Sequence, residues 1–426
     1  MIRIGSITTA VVGGALAVAV AAEAPLDGRF YREYWYEVGS EHGNMVTKGR
    51  FRVNAPQAVL HPTFGKRSET RSSGMLQILM EEDLSLLEGA ELYTELWGGH
   101  PHTRSKRVTL NGRSTYAIPE VGTAEGHCTH QYPAIPLKVT DLVNGYNAVQ
   151  FACDQGTSFW GHFIVDNAAL RAVLKRRHPD LLKAGLADFT ASLTVRGLPG
   201  KEALEVELTS PHMPEAIRSV EFQGYYDSYD ENGDTLTRDW HGFTKRRQPV
   251  AVLRVMERAP FRVEWDTSML PDQEEVRVRA IVRFHEPANL VYESAPSGPV
   301  RLPARSRVSV RQFVCADLPK PFVSRMNRIL SCSIPIDLDP ASIERAELHT
   351  VTWDGGRGTV ADYFTLNGRA LPVAGQGRHD MIYTRLSLDP GLLERGDNQA
   401  QLRSDTEHHG IEILRPGPAL IVRYRK

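Results

Sequence analysis

The same stretch of sequence occurs twice in this chain. Ala90–Arg113 reads AELYTELWGGHPHTRSKRVTLNGR, and Ala346–Arg369 reads AELHTVTWDGGRGTVADYFTLNGR. The two align without a gap. Ala-Glu-Leu opens both, Thr-Leu-Asn-Gly-Arg closes both, and Thr94/Thr350, Trp97/Trp353, Gly99/Gly355 and Thr103/Thr359 coincide between. Composition alone does not put a tryptophan at the same place in two such segments. The match continues more loosely: His130–Val139 faces His379–Leu388, Leu142–Asn147 faces Leu393–Asn398, and Gly161–Ile164 faces Gly410–Ile413. The copies lie too far apart for a solenoid, whose repeats run to roughly 20–50 residues, so the chain contains a duplicated unit.

Each copy reads as β-structure. Leu92, Thr94 and Leu96 alternate with Tyr93, Glu95 and Trp97, the period of a strand with two different faces. Val108-Thr109-Leu110 runs into Asn111-Gly112, and Phe364-Thr365-Leu366 into Asn367-Gly368. Asn-Gly suits the two positive-φ positions of a type I′ hairpin turn. Gly145-Tyr146-Asn147 and Gly396-Asp397-Asn398 predict turns before a later strand. Trp97 and Trp353, shared by both copies, read as core. His100–Lys106 matches the second copy only at Thr103, so a function of the first copy alone would lie there.

Glu95 to Gly99, Thr109 to Arg113 and Leu142 to Asn147 together resemble the galactose-binding-type β-sandwich found beside carbohydrate-active domains. The second copy carries Trp353, Thr365 to Arg369 and Leu393 to Asn398 in the same roles, and departs at Asp354, which replaces Gly98. The resemblance covers about residues 75–170 and 340–426. Between the copies, Phe189–Val195, Leu204–Leu208 and Glu275–Ile281 alternate again, which suggests an immunoglobulin-like sandwich. The expected fold is therefore all-β: two jelly-roll sandwiches with a middle immunoglobulin-like β-sandwich. The boundaries fall at 25–175, 186–335 with an insertion at Gly224–Arg247, and 340–426. Leu170, Val173 and Leu174 recur at helical spacing, so a helix is expected within 166–185, interrupted at His178-Pro179-Asp180. The ring-rich run Phe30–Tyr36 predicts a strand that buries its rings on the first sandwich, with a sugar-stacking platform as the other reading.

Residues 1–24 read as a secretory signal: Arg3, an apolar run, then small residues before Glu23 and Pro25. A membrane anchor is the rival reading. After removal no further span is expected, and the location is extracellular. Four cysteines behind such a signal favour disulfides, Cys128–Cys153 and Cys315–Cys332 being the pairs closest in sequence. With 50 basic and 51 acidic residues the chain has no bulk attraction for nucleic acid. There is no nucleophile-elbow, P-loop or dinucleotide motif.

Several clusters are candidates for chemistry. Asp227, Asp230, Asn232 and Asp234 concentrate hard oxygen ligands around Gly233, which suits Ca²⁺, although an acidic hairpin has the same composition. His100, His102, His127 and His130 fall in the first copy. His130, Tyr132 and Arg113 form a candidate catalytic set of the kind a polysaccharide lyase needs: a base, and a cation for a uronate. Trp240, Asp405 and Glu412, with His100 and His102, are candidate ligand-binding residues. Three functions remain open: a secreted carbohydrate-binding protein recognising a polysaccharide or cell-surface glycan, a glycoside hydrolase or polysaccharide lyase with an interdomain site, and a non-catalytic scaffold.

Overall fold

The computed structural model describes residues 28–36, 46–47, 50–54, 75–99, 103–119, 129–153, 162–210, 213–229, 238–245 and 247–426. Residues 1–24, expected as a leader, and His100, His102, His127, Cys128, Asp230, Asn232 and Asp234 lie outside them. The described chain is almost entirely β-sheet, arranged in several discrete sheets.

The largest sheet has 12 described strands and runs from the first repeat copy into the middle of the chain. Arg29–Trp35 is its pivot. It pairs antiparallel with His162–Leu174 on one edge and with Leu290–Glu293 on the other. Leu290–Glu293 continues to Arg277–Phe284 and Ile217–Tyr226. On the opposite flank His162–Leu174 pairs with Leu87–Trp97, the strand that opens the first copy. One face of this sheet is core: Phe30, Leu92, Leu170, Phe222, Ala280 and Val282 are each at most 1 % exposed. Burial of each large side chain contributes roughly 1.5–3 kcal/mol. A four-stranded sheet built on Gly145–Ala152 packs against that core.

The two copies are built alike where their sequences agree. Asn111 and Gly112 have φ of 50° and 65°, Asn367 and Gly368 of 49° and 78°, so both hairpins turn as expected. The asparagines also do a second job. Asn111 Nδ2 donates to Asn147 Oδ1 at 2.9 Å and to Asp141 O at 2.8 Å, while Asn111 Oδ1 accepts from Ala148 N at 2.8 Å. In the second copy Asn367 Nδ2 donates to Asn398 Oδ1 at 2.8 Å and to Leu392 O at 2.9 Å, and Asn367 Oδ1 accepts from Gln399 N at 2.8 Å. This clasp ties the hairpin to the turn preceding the next strand and satisfies buried amides that are costly to leave unpaired.

Two sequence expectations differ from the structure. Residues 162–174 are a strand, and the helix is confined to Pro179–Lys183 with His178 as its N-cap. Leu170 and Leu174 face the main core while Val173 packs on the other side of the sheet, so apolar residues on both faces mimicked helical spacing. Residues 308–335, expected in the middle unit, lie on strands that pair with the C-terminal ones: Val308–Val314 with Ala419–Arg425, and Leu330–Ile336 with Gly396–Leu402. Within the expected insertion, Asp239–His241 already pairs back with Ile217–Tyr226, and Arg254–Met256 pairs with the same strand farther along. Cys315 and Cys332 form a disulfide, as expected. Cys153 is buried, and its expected partner Cys128 is outside the described residues. Trp97 is buried, whereas Trp353 is half-buried beside the same apolar cluster.

Candidate functional site

The face of the large sheet opposite the core is polar. Alternation puts Arg29, Tyr31, Glu33 and Trp35 on it from one strand, Glu91, Tyr93 and Glu95 from another, and Arg171 between them. Glu221 and Gln223, then Arg279, Ile281 and Arg283, and finally Glu293 extend it across the middle strands. A cleft of about 260 Å³ lies over this face. Trp240, Phe243 and Thr244 of the insertion form one wall, and Gln131 to Ala134 form another. The insertion is fastened down: Thr244 N donates to Tyr93 OH at 2.9 Å and Thr244 Oγ1 to Glu95 Oε1 at 2.8 Å.

The floor is a connected network. Gln223 Nε2 donates to Glu221 Oε1 at 2.6 Å, and Gln223 Oε1 accepts from Arg279 Nε at 2.8 Å. Arg279 Nη1 donates to Glu293 Oε1 at 3.3 Å, and Arg29 Nη2 to Glu293 Oε2 at 3.2 Å. Glu33 accepts from Arg171 Nε at 3.3 Å and from Arg283 Nη1 at 2.8 Å. Arg279 also lies 4.4 Å over the ring of Trp240, which is half-buried.

These surroundings treat the carboxyl groups differently. Burial pushes Glu221 above the ordinary carboxylate range, and Glu33 adds to it, against the opposing pull of Gln223, Arg283 and Arg279. Burial would also raise Glu293, but Arg279, Arg29 and Arg171 outweigh it and hold that group below the usual range. For Glu33, burial is likewise outweighed by Arg283 and Arg171.

Beside the cleft the three parts of the chain meet. His130 Nε2 lies 2.9 Å from Asp166 Oδ2, and its Nδ1 lies 2.6 Å from Tyr132 OH and 2.7 Å from Tyr383 OH. A carboxylate at Asp166 accepts the Nε2 proton, which leaves Nδ1 to accept from a tyrosine hydroxyl. The two hydroxyls also touch each other. Phe243 stacks on Tyr132 with ring centroids 3.8 Å apart, and Lys245 Nζ reaches Asp380 Oδ1 at 3.1 Å. Burial, then the neighbouring Tyr383, drive the Tyr132 phenol well above its ordinary value, so it stays protonated and donates.

Of the expected catalytic set, His130 and Tyr132 come together and Arg113 does not join them. Arg113 instead donates to the Leu142 carbonyl at 3.1 Å and to the Thr140 carbonyl beside the first hairpin. Trp240 lines the cleft. Asp405 caps the loop at Thr359, accepting from its N–H at 2.9 Å, and Glu412 is buried in a strand next to Trp353. Asp227 is ion-paired to Arg238 at 2.8 Å. Among the described residues no group of three or more His, Cys, Asp or Glu side chains is placed to hold a metal ion. Among the same residues no helix is long and apolar enough to cross a membrane. Sequence reading missed Glu221, Glu293, Arg279, Asp166 and Tyr383. The alternation of Val220-Glu221-Phe222-Gln223 and of Arg277 to Arg283 held a signal, because charges on alternate positions of two strands imply one polar face.

No family model matches this chain, and no curated protein matches it. Among solved structures it is similar to a β-porphyranase of glycoside hydrolase family 86 from the human gut bacterium Bacteroides plebeius. That match has 12 % identity over 56 % of this chain and 37 % of that one, with a TM-score of 0.24. It is also similar to BuGH86 in complex with neoagarooctaose, at 11 % identity over 55 % of this chain and 34 % of that one, with a TM-score of 0.23. The chain thus spans about a third of the length of these structures, and no residue is carried across from them.

Proposed function

We propose that this protein binds a glycan in the cleft over the polar face of the large sheet. The observation that carries the proposal is the lining: the rings of Tyr31, Tyr93, Trp240 and Phe243 line the same cleft as Arg279, Gln223 and Glu293, with Trp240 the half-buried ring among three buried ones. Sugars offer C–H faces that pack on rings and hydroxyls that pair with carboxylates, amides and guanidinium groups. The guanidinium groups are already matched by carboxylates, which favours a neutral glycan over a polyanion. In this reading the repeat copies are galactose-binding-type jelly rolls and the strands between them an immunoglobulin-like unit, in an exported protein. The asparagine clasp common to both copies supports the shared origin of the two units.

Purified protein on an array of plant, fungal and bacterial glycans tests the proposal. We expect binding to at least one neutral polysaccharide, weakened roughly tenfold or more, about 1.4 kcal/mol, by Trp240→Ala. Absence of binding across the array refutes it. A second reading, that the bound glycan is also cleaved, is favoured by the two cleft carboxyl groups that their surroundings drive in opposite directions.

A further inference from the structure

The register of the sheet sets Glu221 opposite Ile281, and Ile281 opposite Glu293. Residues directly opposite across a ladder project to the same face. Both carboxyl groups therefore rise from the floor of the cleft, and both line it. Two strand spacings of about 4.7–4.9 Å separate their backbones, roughly 9–10 Å in all. Side chains that rise side by side from the same face keep about that spacing, which lies at the upper end of the roughly 6.5–9.5 Å range in which two carboxyl groups flank a glycosidic bond with a water between. A retaining pair needs about 5–5.5 Å.

We propose that the cleft hydrolyses the glycan it binds with inversion at the anomeric carbon, Glu221 acting as general acid and Glu293 as general base. This rests on the glycan reading above. Glu221 is 4 % exposed, which favours its neutral form, and Gln223 donates to one of its oxygens, which leaves the other oxygen to hold the proton that a general acid gives. Arg29 and Arg279 keep Glu293 ionised, and a carboxylate has acceptor sites beyond those two bonds. In the step, the Glu221 proton passes to the glycosidic oxygen as its bond to the anomeric carbon breaks. A water oxygen bonds to that carbon from the opposite face while Glu293 takes one of the water's protons. One water is consumed, each fragment gains a hydroxyl end, and Glu221 ends ionised with Glu293 protonated. Proton exchange with solvent restores both. Arg279, bonded to Gln223 and to Glu293, is a positioning residue that holds the pair in one frame.

The test incubates the full chain with xylan, laminarin, mannan, galactan and agarose, measuring binding and new reducing ends on the same samples. We expect reducing ends from at least one, with Glu221→Gln and Glu293→Gln each slowing turnover by roughly 10²–10⁴-fold, the usual range for a lost acid or base. Proton NMR of the first product should show the inverted anomer. A retained anomer, or either variant keeping more than about a tenth of the activity, overturns the assignment. Loss of turnover in Tyr132→Phe with both glutamine variants active overturns it in favour of the His130–Tyr132 cluster. Binding without cleavage of any of the five overturns the hydrolysis and leaves the glycan reading standing, whereas no binding overturns both. Should Glu293→Gln fail to fold, Glu221→Gln and the product anomer still decide.

Discussion

Glu33 sits beneath the cleft, 5 % exposed, and its two oxygens hold Arg171 and Arg283. Glu33→Gln preserves its volume, removes its charge and turns an amide N–H₂ toward a guanidinium. Breaking a buried ion pair by removing one partner typically costs about 3–5 kcal/mol. Here the arginine side chains keep 15 % and 20 % exposure, and Arg171 retains Glu91 at 4.0 Å, so the lower end applies. We expect a loss of about 3 kcal/mol in urea unfolding followed by tryptophan fluorescence, for which Trp35 on the same strand is a reporter. A second effect follows at Glu221. The Glu33 charge raises that carboxyl and Arg283 lowers it, so the substitution moves Glu221 back toward the ordinary carboxylate range. Between the ordinary carboxylate value and the raised native one, Glu221 binds more proton in the folded protein than in the unfolded chain. Its stabilisation is therefore complete below the ordinary carboxylate value and is lost as pH rises through the raised native one. That window should narrow in the variant. A change below about 1 kcal/mol, with the pH dependence unmoved, would refute the idea that Glu33 organises the floor.

Two further predictions concern the C-terminal copy. Asp354 is buried and accepts four backbone N–H groups, from Gly375 and Gly377 at 3.0 Å, Gln376 at 3.1 Å and Arg378 at 3.4 Å. Asp354→Asn can satisfy only half of them, so thermal unfolding should report a loss of about 2–3 kcal/mol, and an unchanged midpoint would show the loop is held otherwise. Glu347 accepts from His349 and Arg385. Burial would raise its carboxyl, but these partners pull it from 4.5 down to about 2. That stability is present above pH 4.5 and is lost as pH falls toward 2, about 3 kcal/mol in all. Acid titration of wild type against Glu347→Gln should show the difference shrinking over that window.

The parts legible in the sequence are those written in local physics. Asn111-Gly112 and Asn367-Gly368 had to turn, and the alternation around Leu92 had to be a strand. The helix around Leu170 was misread because a strand buried on both faces has no period of its own. The pairing of residues 308–335 with the C-terminal strands is hidden for a related reason: alternation marks Val308–Val314 as a strand without naming its partner. The site divides in the same way. His130 and Tyr132, two apart on neighbouring positions, were within reach of sequence reasoning, while Asp166 and Tyr383 reach them from other strands. Glu221 and Glu293 look like ordinary strand charges until pairing sets them on one face.

The pivot position of Arg29–Trp35 bears on how the protein is made and inherited. This strand leaves the ribosome long before one of its two neighbours, Leu290–Glu293, which emerges only after the whole middle of the chain. Such long-range pairing is slow to form, and the waiting strand has an open edge. A fragment stopping near residue 185 would keep that edge bare, and one starting there would strand Leu290–Glu293 without its partner. Duplication gave the chain two like units, but the first has since been stitched into its neighbour. As the sheet is paired, the first unit does not close its edge without a strand from its neighbour.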